Sequence, residues 1–244
     1  MRTALLVFAT SVGLLAQTAP TDPAAILSGT REALGGEKKL SAVKTIVASG
    51  RTQQVRGNNL VPIEFEIDIE VPDKYVRKNE IPAQESGPSI EGFNGQSLIQ
   101  TKAPTVKQDF ARLMLGMFAT SFSGYPLTFT YVGQAEAPQG KADVLDGKGP
   151  DATLRLFIDR ATHLPIMISW QAAPPPARGV QPAAPGGAPA APQENRVYFS
   201  DYRDVDGMKW PFRLRRAVGA DTVEETTFDR FRINPKIDAK KFQP

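Results

Sequence analysis

His163 is the only histidine among the 244 residues, and the chain has no cysteine. These two counts remove much of the chemistry a chain of this size could perform. No cluster of His or Cys can hold a metal, no HExxH occurs, and thiolate catalysis and disulfides are excluded. No Ser-His-Asp arrangement is convincing either. His163 sits in Asp159-Arg-Ala-Thr-His-Leu-Pro165, a composition that reads as a turn between two strands rather than the surroundings of a catalytic base.

Carboxylates are the remaining candidates. Glu64, Glu66, Asp68 and Glu70 recur at every second residue, which could mean a cation site or a pair of acid/base groups. That spacing also belongs to one side of a strand, and Arg51, Arg56, Arg77 and Lys78 stand on the neighbouring segments, so a solvated face paired across strands is the better reading. Asp204, Asp206 and Gly207 echo part of a calcium loop, but Tyr202 would be its first ligand and Arg213 its last, which defeats the match. There is no GxxxxGK[ST], no GxGxxG and no GxSxG, so phosphate cradles and a nucleophile elbow have no support. A Ser–Lys dyad has no fixed spacing, and nothing points to one. A hydrolase with an unrecognised site is therefore the least supported function class.

The acidic row is one half of the most informative stretch in the chain, residues 61 to 71. Val61, Ile63, Phe65, Ile67, Ile69 and Val71 alternate with Pro62 and the four acids, as an amphipathic strand requires. Burying six large apolar side chains is worth on the order of 10 kcal/mol before entropy is charged. That face must meet the protein's own core or a greasy ligand.

Around it the elements can be placed. Asp22 caps a helix with Pro23 at its first position, and Gly35-Gly36 ends it. From about Lys44 the chain reads mainly as strands: 44–57, 61–71, 74–80, 127–134, 141–146, 153–159, 164–170, 196–205, 208–218 and 222–233. Pro72-Asp73 turns the chain, and Asn94-Gly95, Asp146-Gly147 and Asp206-Gly207 carry two-residue hairpin chemistry. One helix interrupts the strands, opened by a Thr105/Gln108 capping box and bearing a stripe of Phe110, Leu113, Met114, Met117 and Phe118, with Phe122 beyond its end. Unbranched methionines adapt to varied apolar ligands, although the same residues serve equally as ordinary core.

About ten strands at ~4.8 Å spacing make a sheet some 40–50 Å wide, and two helices of ~10 Å diameter cover about half of it. The expected fold is therefore mainly β (α+β): a curved antiparallel sheet or half-open β-barrel with two or three helices over its concave face. Such a sheet leaves a pocket, or else closes and fills itself with side chains.

Residues 1–16 read as a cleavable signal peptide, with Arg2 preceding an apolar run from Ala4 to Ala16. The run is shorter than the ~20 residues a membrane span needs, and no second one follows, so the mature chain is expected to lack a transmembrane segment. The expected address is the periplasm or another exported location, without a lipid anchor because there is no Cys. Residues 17–244 form one domain, interrupted by a Pro/Ala/Gly-rich hairpin loop at 172–193. The net charge of +3 is small and its Lys and Arg are scattered, which speaks against nucleic acid.

This order of elements resembles the periplasmic lipoprotein-carrier (LolA-like) superfamily. The resemblance rests on the N-terminal helix ending in Gly-Gly, the Pro-Asp-Lys-Tyr at 72–75, the Ile158-to-Pro165 turn, the Tyr202-Arg-Asp-Val-Asp-Gly-Met-Lys-Trp-Pro211 hairpin and the closing segment 234–242. It implies a half-open barrel over an apolar cavity that accepts acyl chains of lipids or lipoproteins. The cavity would be lined here by Phe65, Ile67, Ile69, Phe110, Leu113, Met114, Met117 and Phe118, with Arg51 and Arg56 as candidates for a cavity-closing arginine. No cofactor, metal or covalent step is implied. The alternative is a non-enzymatic sensor or interaction module of the same fold, with a protein partner at the cell envelope.

Overall fold

The computed structural model describes residues 22–82, 84–85, 87–95, 97–100, 105–120, 122, 126–137, 140–150, 153–172 and 191–243. The stretch 1–16 read as a signal peptide, and all but the ends of the expected 172–193 loop, lie outside these residues. Helix α1 (Pro23–Leu34) opens as its sequence requires: the Asp22 carboxylate accepts from the backbone N–H of Ala24 at 2.9 Å, and Gly35 ends it with φ 136°. A short helix α2 (Glu37–Ser41) follows, which the sequence reading lacked, and the long helix is α3 (Thr105–Phe118).

The twelve strands among the described residues belong to one sheet, two more than expected. In chain order they are β1 (Thr45–Arg56), β2 (Asn59–Glu70), β3 (Lys74–Glu80), β4 (Ser89–Asn94), β5 (Leu98–Ile99), β6 (Thr128–Ala137), β7 (Gly140–Lys148), β8 (Thr153–Asp159), β9 (Pro165–Ala172), β10 (Gln193–Val205), β11 (Met208–Val218) and β12 (Asp221–Ile233). The spatial order is β5-β4-β3-β2-β1-β12-β11-β10-β9-β8-β7-β6, every described pairing antiparallel. Two meanders are thus joined where β12 returns beside β1, and β9 pairs with β10 across the Pro-rich loop.

The curvature follows from length. Helix α3 touches β4 on one side and β9 on the other, strands seven positions apart in the sheet. Laid flat, those strands would lie ~34 Å apart at 4.8 Å per strand. A helix of this length spans only ~21 Å and is ~10 Å thick. The sheet therefore curls around α3, and its inner face closes on α1 and α3. The far end of the Phe199 ring of β10 lies against Gly116 of α3: a Cβ there would come within 2.2 Å of the ring. The outer face of β3 and β4 is covered by the C-terminal segment, where Phe242 and Ile237 pack on Val76, Ile90 and Ile99.

Two turns differ from the sequence reading. Asp206-Gly207 is a tight β10–β11 turn with both residues at positive φ, as expected. Asp146-Gly147 is not a turn. Gly147 lies inside β7, paired with Phe129 and Leu154, where a Cβ would meet the Phe129 ring at 3.0 Å. Glycine serves there to admit a neighbouring ring, not to reverse the chain. The Asn94-Gly95 hairpin forms between β4 and β5, but Asn94 N–H donates to Ser97 O in continuation of the Phe93–Leu98 register, so Asn94 belongs to the strand pairing and not to the connection.

Replacing Gly116 with Ala should cost about 1–3 kcal/mol, because the buried Phe199 ring must shift to admit the added Cβ. Gly29 in α1 has open space where a Cβ would go, and Gly29→Ala should stabilise by about 0.5–1 kcal/mol. Paired thermal and urea melts of the two variants read both signs.

Candidate functional site

The inner face carries the residues that sequence placed in a cavity. Phe65, Ile67 and Ile69 point inward from β2, and Phe110, Met114, Met117 and Phe118 point down from α3 onto the same core; all seven are at most 5% exposed. Leu113 packs at the edge of that core and is only partly buried. The structure brings all eight together in one continuous seam between α3 and the sheet.

Beneath α3 the seam rests on a row of aromatic rings. Phe118 meets Trp210 at 5.6 Å between centroids, Trp210 stacks on Phe231 at 5.5 Å, Phe231 contacts Phe228 at 4.6 Å, and Phe228 meets Phe65 edge-on at 5.5 Å. A second group, Tyr75, Phe93 and Phe110, fills the space beside it. Burial pushes the phenols of Tyr75 and Tyr202 well above their ordinary range, so both stay neutral. Tyr202 donates its hydroxyl proton to Pro165 O at 2.8 Å. The indole N–H of Trp210 is buried with no hydrogen-bond partner among the described residues. An unmet buried donor costs about 1–3 kcal/mol.

Few polar contacts hold α3 down. Arg31 of α1 donates to Phe118 O at 2.6 Å and so caps the helix C-terminus, and the Tyr202 hydroxyl lies 3.5 Å from Gly116 O. Lys107 reaches Gly95 O at 3.3 Å. Gln108 accepts from Arg112 at 3.2 Å. The grip of α3 on the sheet is overwhelmingly apolar.

The two arginines proposed from sequence do not reach the apolar side. Thr52 faces inward and is fully buried, so its neighbour Arg51 points outward, where it meets Asp229 at 3.5 Å with two thirds of its side chain exposed. Arg56 lies exposed at the end of β1, bonded to Gln54. Among the strand arginines near them, Arg77 does meet the inner face. Its guanidinium lies 4.5 Å from the Phe65 ring centroid and donates to Thr52 Oγ1 at 3.0 Å, and Thr52 in turn shares a 2.9 Å hydrogen bond with buried Thr226. Strand parity was the available signal: position 77 pairs with inward Ile67.

The acidic row is on the outer face, as expected, but its cations differ. Lys241, from the closing turn Ala239–Phe242, bonds Asp68 at 2.7 Å and Glu66 at 2.9 Å, and Lys74 bonds Glu70 at 2.6 Å. No metal-binding cluster of acidic residues or His exists among the described residues. His163 occupies the 159–165 turn, donating its N–H to Asp159 O at 2.8 Å.

Two concavities open elsewhere. One, of about 590 Å³, lies where β8 begins and β9 ends, bounded by Gln108 and Arg112 of α3 and by Arg155, Ser169, Trp170 and Glu194. The other, of about 930 Å³, is a groove on the outer face with Phe157, Ile166, Met167 and Tyr198 along its floor and Arg213, Arg215 and Glu225 at its rim. Neither is lined by the eight seam residues.

Burial raises the Asp68 carboxyl above its ordinary value, more than the hydrogen bond and charge of Lys241 lower it. Lys241→Met would remove that counter-charge and raise it further. A carboxyl whose folded value lies above its unfolded one destabilises the fold when ionised and ceases to do so once protonated. The variant should therefore lose about 1–3 kcal/mol at neutral pH. The deficit should shrink as pH falls through the folded-state value of Asp68, and Asp68→Asn in the same chain should cancel it. Urea titrations across that pH range check the trend.

No protein-family model matches the sequence, and a search of curated proteins finds no significant match. Solved structures do match. A domain from Vibrio parahaemolyticus named for outer membrane lipoprotein sorting aligns with TM-score 0.56 and 9% identity, covering 88% of this chain and 95% of that one. A DUF1329 family protein from Desulfovibrio piger aligns with TM-score 0.55 and 9% identity over 91% of this chain and 98% of that one. A LolA superfamily protein from Nitrosomonas europaea aligns with TM-score 0.55 and 12% identity over 91% and 97%. At such identities the likeness is one of fold alone: this chain shares the fold of these three structures, here a curled antiparallel sheet wrapped on helices.

Proposed function

We propose that this protein is an exported, non-enzymatic carrier at the cell envelope that binds the acyl chain of a lipid or lipoprotein between α3 and the inner face of the sheet. The observation that carries the reading is the seam itself, in which α3 rests on the sheet through Phe110, Met114, Met117 and Phe118, with few polar ties. The interior is filled by these side chains, so an acyl chain enters as α3 shifts, and the methionines re-pack around it. Ten methylenes removed from water would contribute on the order of 8 kcal/mol at about 0.8 per CH₂, which before the cost of moving α3 matches micromolar binding at roughly −8 kcal/mol. No cofactor and no bond-making step are needed. The apolar run at the N-terminus and the lipoprotein-sorting name of a structural neighbour support the envelope setting.

Native mass spectrometry of protein purified from the periplasm should show co-purifying lipid. Uptake of a fluorescent acyl probe should fall at least about tenfold in Met114→Asp, the scale of a charge placed in an apolar site, and survive in Met114→Leu; circular dichroism verifies that both variants fold. A protein free of lipid, with probe uptake indifferent to Met114→Asp, overturns the reading.

The outer groove favours a second reading, in which an envelope protein docks on the sheet. The row Phe157–Met167–Tyr198–Arg215 crosses four strands there, and Arg215 stacks 4.0 Å over the Tyr198 ring. Tyr198→Asp would then abolish partner capture from envelope extracts and leave acyl uptake unchanged, whereas the carrier reading alone predicts no effect on either.

A further inference from the structure

Of the three large apolar side chains that stand exposed among the described residues, two face each other at one place. Val55, 41% exposed, pairs with Leu60, 64% exposed, at the tip of the β1–β2 hairpin; the third, Val132, lies in β6. The hairpin outreaches its neighbours on both sides. Pairing of β1 with β12 ends at Gln54 opposite Glu224, and pairing of β2 with β3 begins only at Glu64 opposite Glu80. Residues 59–63 therefore extend roughly 17 Å past β3, at ~3.3 Å per residue. The turn itself stands clear of the body: Gly57 has nothing within 4 Å of where a Cβ would go.

Charge at the tip has one sign. Residues 51–63 include Arg51 and Arg56, the two arginines without a role at the seam, and no acid. Arg51 is two-thirds exposed and meets Asp229 only at 3.5 Å, and Arg56 is bonded to the neutral Gln54 amide at 2.8 Å. The acids start where the hairpin joins the sheet, with Glu64 opposite Arg51 and with Glu224 and Glu225 opposite Gln54 and Gln53. Leu60 stands ~13 Å along the strand from Glu64, further than charges reach through physiological salt. A narrow apolar point offers little area to a protein, whose interfaces bury about 800 Å² a side around fitted anchors. A lipid surface needs no such fit, and its anionic phosphates attract arginine. We propose that the β1–β2 hairpin docks on an anionic bilayer, with Val55 and Leu60 in the lipid interface and Arg51 and Arg56 on lipid phosphates. The acids at its base limit how deep it goes. The inference stands on the hairpin alone and goes beyond the acyl-binding reading, because it names the surface by which the protein meets a membrane.

Co-sedimentation with vesicles tests the docking. The protein should associate weakly and reversibly with phosphatidylethanolamine vesicles that contain phosphatidylglycerol, as a small apolar anchor does. With pure phosphatidylcholine the association should be at least about tenfold weaker, the scale of two arginines near a charged surface. Leu60→Asp should weaken it at least about tenfold on the anionic vesicles. Arg56→Gln should weaken it about fivefold there and leave phosphatidylcholine unchanged. Added salt should remove the preference for anionic lipid. Both side chains are exposed, so circular dichroism of the variants should match the native protein; Leu60→Ser repeats the test if the aspartate disturbs the strand. Met114→Asp should dock as the native protein does, and Leu60→Asp should take up the acyl probe in solution as before, so docking and acyl binding can fail separately. Vesicles ignored by the native protein, or bound equally well by Leu60→Asp, would overturn the docking site. Equal binding to both kinds of vesicle would overturn the anionic surface. Capture of an envelope protein that Leu60→Asp abolishes, with vesicles ignored, would assign the tip to a protein partner and overturn the bilayer.

Discussion

Everything in this molecule depends on covering the inner face of one long sheet. Twelve strands that alternate apolar and polar side chains offer more greasy surface than α1 and α3 could hide if the sheet lay flat. Curling solves the problem, because it brings β4 and β9 against opposite flanks of the same helix. The contact is close enough to require Gly116 under the Phe199 ring. The resulting interior is dense and largely aromatic, and its cohesion comes from dispersion and water exclusion more than from directed bonds. That distinction matters for function, since a helix held by apolar contact can exchange one greasy partner for another, whereas a hydrogen-bonded one would lose its bonds.

The polar groups that intrude on this interior are correspondingly few and specific. Arg77 lies over Phe65 and is tied to the Thr52–Thr226 pair, and Arg112 lies over Trp170. In both cases an aromatic face accepts the flat side of a guanidinium, which is less strongly hydrated than an ammonium and tolerates such a place. The outer face is handled differently. Its acidic row is partly covered by the returning C-terminus, where Lys241 supplies charge and Phe242 supplies grease. The last residues of the chain therefore act as a strap on β2, β3 and β4.

Much of this was legible in the residues. The strands 74–80, 153–159 and 208–218 fall where alternation and turn chemistry put them, because each is bounded by turns that exclude other conformations. The α3 stripe was visible because helical spacing is periodic and local. What escaped was either too short or too distant in sequence. Helix α2 has five residues and no room for a stripe. Asp146-Gly147 has the composition of a turn, and only the arrival of Phe129 from β6 shows why a glycine is needed in mid-strand. Arg51 and Arg77 are equivalent as residue types; the inward position of Thr52 and the pairing of Arg77 with Ile67 separate them. The stacking of Arg112 on Trp170 joins a helix to a strand far along the chain, and no local pattern announces it.

The central claim, that an acyl chain is held by burial between α3 and the sheet, is tested most directly by affinity across a series of fatty acids differing only in chain length. Burial in the seam predicts that each added methylene tightens binding about fourfold, the equivalent of ~0.8 kcal/mol, until the seam is full and the increments stop. An affinity that does not change with chain length would contradict the account.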